Sequence, residues 1–186
     1  MLTIGSGHAL DVMCYCLGEF KETSAFVVSQ RERIPIEGTN ETVPLTSPDQ
    51  IVASGIMQNG AVFSFHMRGG MRRNIGAMLE IHGDKGDLVV QSPVSLHQNH
   101  PAMTVQGAQG PGAKLADLPV PGKYRWVPAE TPTGSPYNVA QLYVKLGESI
   151  CNGTPASPGF DAAVRRHQLI DAIVQASKTG QKQTLG

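Results

Sequence analysis

The sequence predicts an α+β fold: a largely antiparallel open sheet with helices packed on one face. Two alternating runs, 51–58 and 61–68, flank Asn59-Gly60, a dipeptide suited to a tight hairpin turn. A second pair, 77–82 and 87–91, flanks Gly83-Asp84-Lys85-Gly86. Helical spacing appears before and after these hairpins, and consecutive hairpins exclude a doubly wound parallel sheet.

Each element follows in turn. Leu10, Met13, Cys14 and Leu17 recur at helical spacing, while Val12, Tyr15 and Cys16 make the other face apolar. That predicts a first helix buried nearly all round, ended by Gly18. A strand is expected over 23–30, then a long polar loop or irregular edge strand over 31–49. Asn59-Gly60 fits a type I′ turn, and the strands of the two hairpins should form one meander of at least four. Residues 92–136 shift to Pro and Gly and read as an irregular excursion with one short strand near 124–127. Ser135-Pro136 supplies a capping hydroxyl and a first-turn proline for a helix whose apolar face is Val139, Leu142, Tyr143, Leu146 and Ile150, with Gly153 as its stop. The closing helix covers about 161–179, with Val164, Ile170, Ile173 and Val174 inward and Gly180 at its end. Helices on one sheet face leave the other to a partner subunit.

Composition narrows the function classes. A length of 186 residues suits a single domain, 1–186, able to bury a core without disulfide or metal staples. The 15 basic and 15 acidic side chains cancel, which speaks against nucleic acid and against an acidic membrane surface. The one arginine cluster, Arg68 to Arg73, is interrupted by Gly69, Gly70 and Met71. Three cysteines are an odd count, and Cys14 and Cys16 diverge on a helix, so a reduced compartment fits. With neither a signal pattern nor a spanning apolar run, a cytoplasmic location is expected.

The richest segment is Gly5-Ser6-Gly7-His8-Ala9-Leu10-Asp11. A glycine turn into a helix sets His8 and Asp11 on one face, where the carboxylate can fix the imidazole tautomer and the pair can polarise a ligand. The same two residues also suit ordinary helix-end chemistry. Gly5-Ser6-Gly7 fails as a dinucleotide fingerprint, since Leu10 stands at the third glycine position. His66 and Arg68 form a polar stripe on the second hairpin strand. We assign candidate substrate contacts to these two and to Tyr137 and Asn138. His97 and His100 have no cysteine or carboxylate cluster near them in sequence, so no metal site is expected.

Taken together, Gly7-His8-Ala9-Leu10-Asp11 with Leu17-Gly18-Glu19, then Leu79 to Leu88 (LEIHGDKGDL), then the closing helix with Asp161 and Leu169-Ile170-Asp171-Ala172-Ile173 resemble the C-terminal domain of the glucose-fructose oxidoreductase and inositol dehydrogenase family. The likeness is nearest the branch that includes the fungal galactose-regulon repressor. It implies a two-domain protein whose Rossmann domain, expected to be absent from this chain, binds NAD(P), while the C-terminal domain contributes substrate contacts and a dimer interface. No cofactor is then expected in this chain itself. The resemblance puts proton transfer on His8 with Asp11 as its neighbour, but Ile4 stands where such members carry an aspartate four residues before the histidine. The implied function is a substrate-binding and dimerisation domain of an NAD(P)-dependent sugar or cyclitol oxidoreductase, inactive without its Rossmann domain. Its implied partners are a second copy of the chain and a small polar ligand such as a sugar. A non-catalytic carbohydrate-sensing module and a bare dimerisation scaffold are the alternatives.

Overall fold

A computed structural model describes residues 1–70, 76–96 and 100–186. His97, and the 71–73 part of the arginine cluster, lie outside the described residues. The chain divides into two compact units, Met1–Arg72 with Phe160–Gly186, and Arg73–Gly159.

The first unit holds α1 (Gly7–Leu17), β1 (Phe20–Val28), β2 (Arg33–Pro35), β3 (Thr42–Pro44), β4 (Gln50–Met57) and β5 (Val62–Arg68). The closing helix, α3 in chain order (Phe160–Thr179), and the short β10 (Gln183–Thr184) complete it. Its main sheet is antiparallel in the order β10-β1-β4-β5. Alternation along the strands turns Thr23 and Ala25 of β1, Ile51, Ala53 and Met57 of β4, and Phe63 of β5 inward. Leu10 of α1 and Leu169, Ile170 and Ile173 of α3 join that core, Leu10 and Ile173 with 0% exposure. The rings of Phe20 and Phe63 meet edge to face at 4.4 Å. Ser177 of α3 accepts the Val27 N–H at 2.8 Å, fastening helix to sheet.

Several expectations change here. The first helix is one-sided, with Leu10, Met13 and Cys14 buried and Tyr15 86% exposed, because α3 and the sheet cover it from one direction only. Val164 is exposed as well, one turn into α3. The Asn59-Gly60 turn is not type I′: Gly60 (φ 89°) has positive φ and Asn59 does not. Met57 N–H donates to the Ala61 carbonyl at 2.8 Å and Gly60 N–H to the Met57 carbonyl at 2.9 Å, the pattern of a type I turn with a glycine bulge. Asn59 is held for another reason. Its Nδ2 donates to the Leu17 carbonyl at 2.9 Å and its Oδ1 accepts the Ala61 N–H at 3.0 Å, tying the hairpin to the end of α1. The 31–49 segment contains the β2–β3 ribbon and ends at Asp49, 3% exposed, which accepts Gln30 N–H at 2.9 Å and Arg31 Nε at 2.8 Å. The Gln30 N–H, followed by Arg31, holds the Asp49 carboxyl below the usual carboxylate range.

The second unit carries the antiparallel sheet β6-β7-β8-β9, built from β6 (Ala77–Gly83), β7 (Gly86–Ser92), β8 (Thr104–Gln109) and β9 (Ala116–Asp117). The two hairpins therefore belong to separate sheets rather than one meander. The excursion contributes β8 and β9, whereas 124–127 forms no strand and follows a 3-10 turn at Gly122–Tyr124. α2 (Ser135–Asn152) is capped by Gly134 rather than by the Ser135 hydroxyl, and it ends at Gly153 (φ 63°) as its stop signal predicts. None of its residues is buried, so Val139, Leu142, Tyr143 and Ile150 face outward rather than onto a sheet.

Where β1 bulges between Phe20 and Glu22, the facing Gly55 backbone comes so close that a Cβ there would lie 2.0 Å from the Glu22 carbonyl oxygen. Gly55→Ala is expected to lower stability by about 2 kcal/mol or more by overpacking. Urea unfolding measures this, and a loss below about 0.5 kcal/mol, the size of an ordinary surface change, contradicts it.

Candidate functional site

The site is built around the start of α1. Leu2–Ser6 form a π-type turn that runs directly into the helix. Ser6, fully buried, donates to Met67 Sδ at 3.2 Å. A Cβ on Gly5 would lie 3.3 Å from Met67 Sδ, and one on Gly7 would lie 3.6 Å from Ile170 Cδ1. These glycines let α1 seat against β5 and α3, and they leave no cradle for a pyrophosphate. Leu2–Ser6 lead into α1 as a helical turn and not as the strand that a dinucleotide fingerprint follows. His8 stands exposed on the first turn, with Asp11 one turn on, its side chain 59% exposed.

Asp11 is held from below by Arg166 of α3. The Arg166 Nε donates to Asp11 at 3.2 Å, and its Nη2 grips both Glu19 carboxylate oxygens at 2.6 and 2.7 Å. Its Nη1 meets the Cys14 sulfur. Arg166 is 9% exposed, so these bonds take the place of the water it gives up. Arg165 adds bonds to Glu19 at 3.3 Å and to Asp161 at 2.9 Å. Burial alone would raise the Glu19 carboxyl, but the hydrogen bonds and charge of Arg166, then of Arg165, hold it below its ordinary value. Burial pushes the Cys14 thiol up to about 12 against the pull of Arg166, so it stays a protonated thiol at neutral pH.

The other sequence candidates lie apart from this cluster. Met67 turns toward Gly5 and Ser6, so on the same strand His66 and Arg68 point to the opposite sheet face, away from the helices. There His66 pairs across from Val52 and Arg68 from Gln50. Tyr137 and Asn138 sit in the first turn of α2, in the second unit. Sequence reasoning missed Arg166. Its signal is a charge on the apolar phase of α3, three, four and seven residues before Leu169, Ile170 and Ile173. Among the described residues no cluster of three His, Cys, Asp or Glu side chains is placed to hold a metal ion. No helix among them is long and apolar enough to cross a membrane.

Solved structures share this architecture. A levoglucosan dehydrogenase in complex with NADH superposes with a TM-score of 0.79 at 20% identity, covering 100% of this chain and 50% of that one. The transcriptional regulator Gal80p of Kluyveromyces lactis gives 0.78 at 19%, covering 98% and 45%. An oxidoreductase domain protein from Kribbella flavida also gives 0.78, at 21% identity with 100% and 50% coverage. The chain thus has the C-terminal-domain fold of the glucose-fructose oxidoreductase and inositol dehydrogenase class. Within that class, residues 1–92 match the family model described as Gal80p, C-terminal domain. The galactose/lactose metabolism regulatory protein GAL80 of Kluyveromyces lactis is 31% identical over 99 residues, a match covering 46% of this chain and 21% of the relative. The chain spans about half the length of the solved relatives it matches.

The lowered Glu19 value sets a pH dependence. A carboxyl depressed on folding stabilises the fold fully above its ordinary 4.5, and that contribution is lost as pH falls through the lower folded value. Asp49 and Asp161 are lowered too and act in the same direction. Glu19→Gln is expected to cost about 2 kcal/mol or more at pH 7, since Arg166 loses its charged partner, and to flatten the acid limb of stability against pH. Urea midpoints from pH 7 down to 3 test this; an unchanged acid limb contradicts it.

Proposed function

We propose that this chain serves as the substrate-facing and self-associating domain of an NAD(P)-dependent sugar or cyclitol oxidoreductase-family protein. The observation that carries the reading is the start of α1: an exposed His8 one turn before an Asp11 whose carboxylate is fixed by a buried arginine. A rigid helix end of this kind can hold a ligand hydroxyl and exchange a proton with it. The neighbours with this fold include a dehydrogenase solved with NADH and L-sorbose, which fits a sugar-type ligand. The chain's own glycines fit no dinucleotide, so the nucleotide would be held by a separate domain and the chain alone would be inactive.

A carbohydrate-sensing role without redox chemistry is the second reading. Ile4, where a relay carboxylate is expected, and the regulatory relative support it. Fusion of the chain behind the nucleotide domain of the levoglucosan dehydrogenase separates the two. Oxidation of a sugar or cyclitol with a loss of about a hundredfold or more in kcat/KM on His8→Ala, fold retained, is the expected outcome. A loss below tenfold demotes His8 to a structural role, and sugar binding without turnover favours the sensor.

Self-association is expected through the uncovered face of the first unit's sheet. Phe26, 72% exposed, lies in one cross-strand row with Val52 and His66, and Val62 is exposed four residues along β5 from His66. Apolar side chains grouped this way favour a symmetric contact. Light scattering should give a dimer at micromolar concentration and a monomer for Phe26→Glu; a monomeric parent overturns the expectation.

A further inference from the structure

We propose that a cleft within the second unit binds a small hydroxylated carboxylate. The cleft, about 700 Å³ in volume, is lined by residues of β8 and β9, by Tyr124 and Arg125, by His100 and by Tyr137 of α2. Its rim is fixed by one amide: the Gln141 Oε1 of α2 accepts the Trp126 N–H at 2.8 Å and the Val127 N–H at 3.1 Å, and its Nε2 donates to the Tyr124 carbonyl at 2.8 Å. Backbone on both sides of Arg125 is therefore anchored to the helix. Trp126 adds an Nε1–H bond to the Lys123 carbonyl at 3.0 Å and carries the Lys145 ammonium 4.2 Å from its ring centre.

Held this way, Arg125 presents a guanidinium with no hydrogen-bond or ion-pair partner among the described residues. A guanidinium fork matches a carboxylate in two parallel bonds. His100 adds a second donor, because its Nδ1 accepts the Ala102 N–H at 3.1 Å and leaves the proton on Nε2. Asp117 decides what kind of anion fits. Its Oδ1 is taken by Gln106 Nε2 at 2.8 Å, so Oδ2 remains to accept from a ligand hydroxyl. The same carboxylate repels a phosphate dianion more strongly than a monoanion. The face of Tyr137 suits the C–H side of a polyhydroxy chain or ring, while the Tyr124 ring carries the Lys123 ammonium 5.0 Å from its centre. None of these groups belongs to the His8 cluster, so the proposal stands independently of the function assigned there.

Calorimetric titration of the full chain with D-gluconate, D-glucose and inorganic phosphate is the test. Gluconate is expected to bind saturably at millimolar or tighter dissociation constant, glucose and phosphate more weakly. Arg125→Gln should weaken gluconate at least tenfold with an unchanged circular dichroism spectrum, and His8→Ala should leave it unaffected. Three results overturn the proposal: no saturation by about 10 mM gluconate, phosphate binding as tightly as gluconate, or full affinity retained in the folded Arg125→Gln chain. Should Arg125→Gln fail to fold, Tyr137→Ala, which removes the ring face, is the second variant, with a loss of severalfold expected and no change counting against the cleft.

Discussion

The first unit depends on the grip of Arg166 on Glu19. That one guanidinium joins α3 to the residue just past α1 across 147 positions of sequence, and its Nε reaches Asp11 on α1. Buried apolar side chains such as Leu10 and Ile173 hold the helices on the core but tolerate small slips along a helix. A forked donor facing a carboxylate does not, because the bonds weaken steeply when misaligned. Hydrophobic burial brings α1 and α3 onto the sheet, and the polar cluster fixes their register. The cost is sensitivity, since removing one partner strands a buried charge on the other.

The register has a chemical consequence at the helix start. Ser6 and the two glycines beside it press against Met67 and Ile170, so the turn before α1 has little room to move. His8 is exposed above a base held by β5 and by α3, the latter through both Ile170 and the Arg166 bond to Asp11. Pre-organisation of this sort suits a proton-exchanging or ligand-orienting group. The structural neighbours are about a fifth identical and yet superpose closely, consistent with a fold specified by apolar pattern and close backbone approaches such as Gly55 more than by individual side chains.

Hairpins and helix ends were legible in the sequence because they are local. Gly18, Gly153 and Gly180 end their helices as composition suggests, and Gly83-Asp84-Lys85-Gly86 joins β6 to β7. The partition of the hairpins between two sheets was not legible, since alternation reports which residues share a face and not which sheet they join. β8 was hidden by Gly107, whose missing Cβ accommodates Leu118. The apolar face of α2 was legible as a pattern, but its exposure was not, because pattern cannot say whether a partner surface exists. His8 and Asp11 stand one turn apart on α1 as their spacing implies, whereas Arg166 reads as one more charge on a long helix until its phase is compared with Leu169 and Ile173.

The first unit is made of two stretches of chain separated by the whole second unit. During synthesis β1, β4 and β5 emerge and can pair while the helix that covers them is still some hundred residues away. The inner face of that sheet, with Ile51, Ala53 and Phe63, stays open to water and to other chains until α3 is released. Helix α3 thus acts as a closing plate, and the period before it docks is when a nascent chain of this kind is most in need of a chaperone.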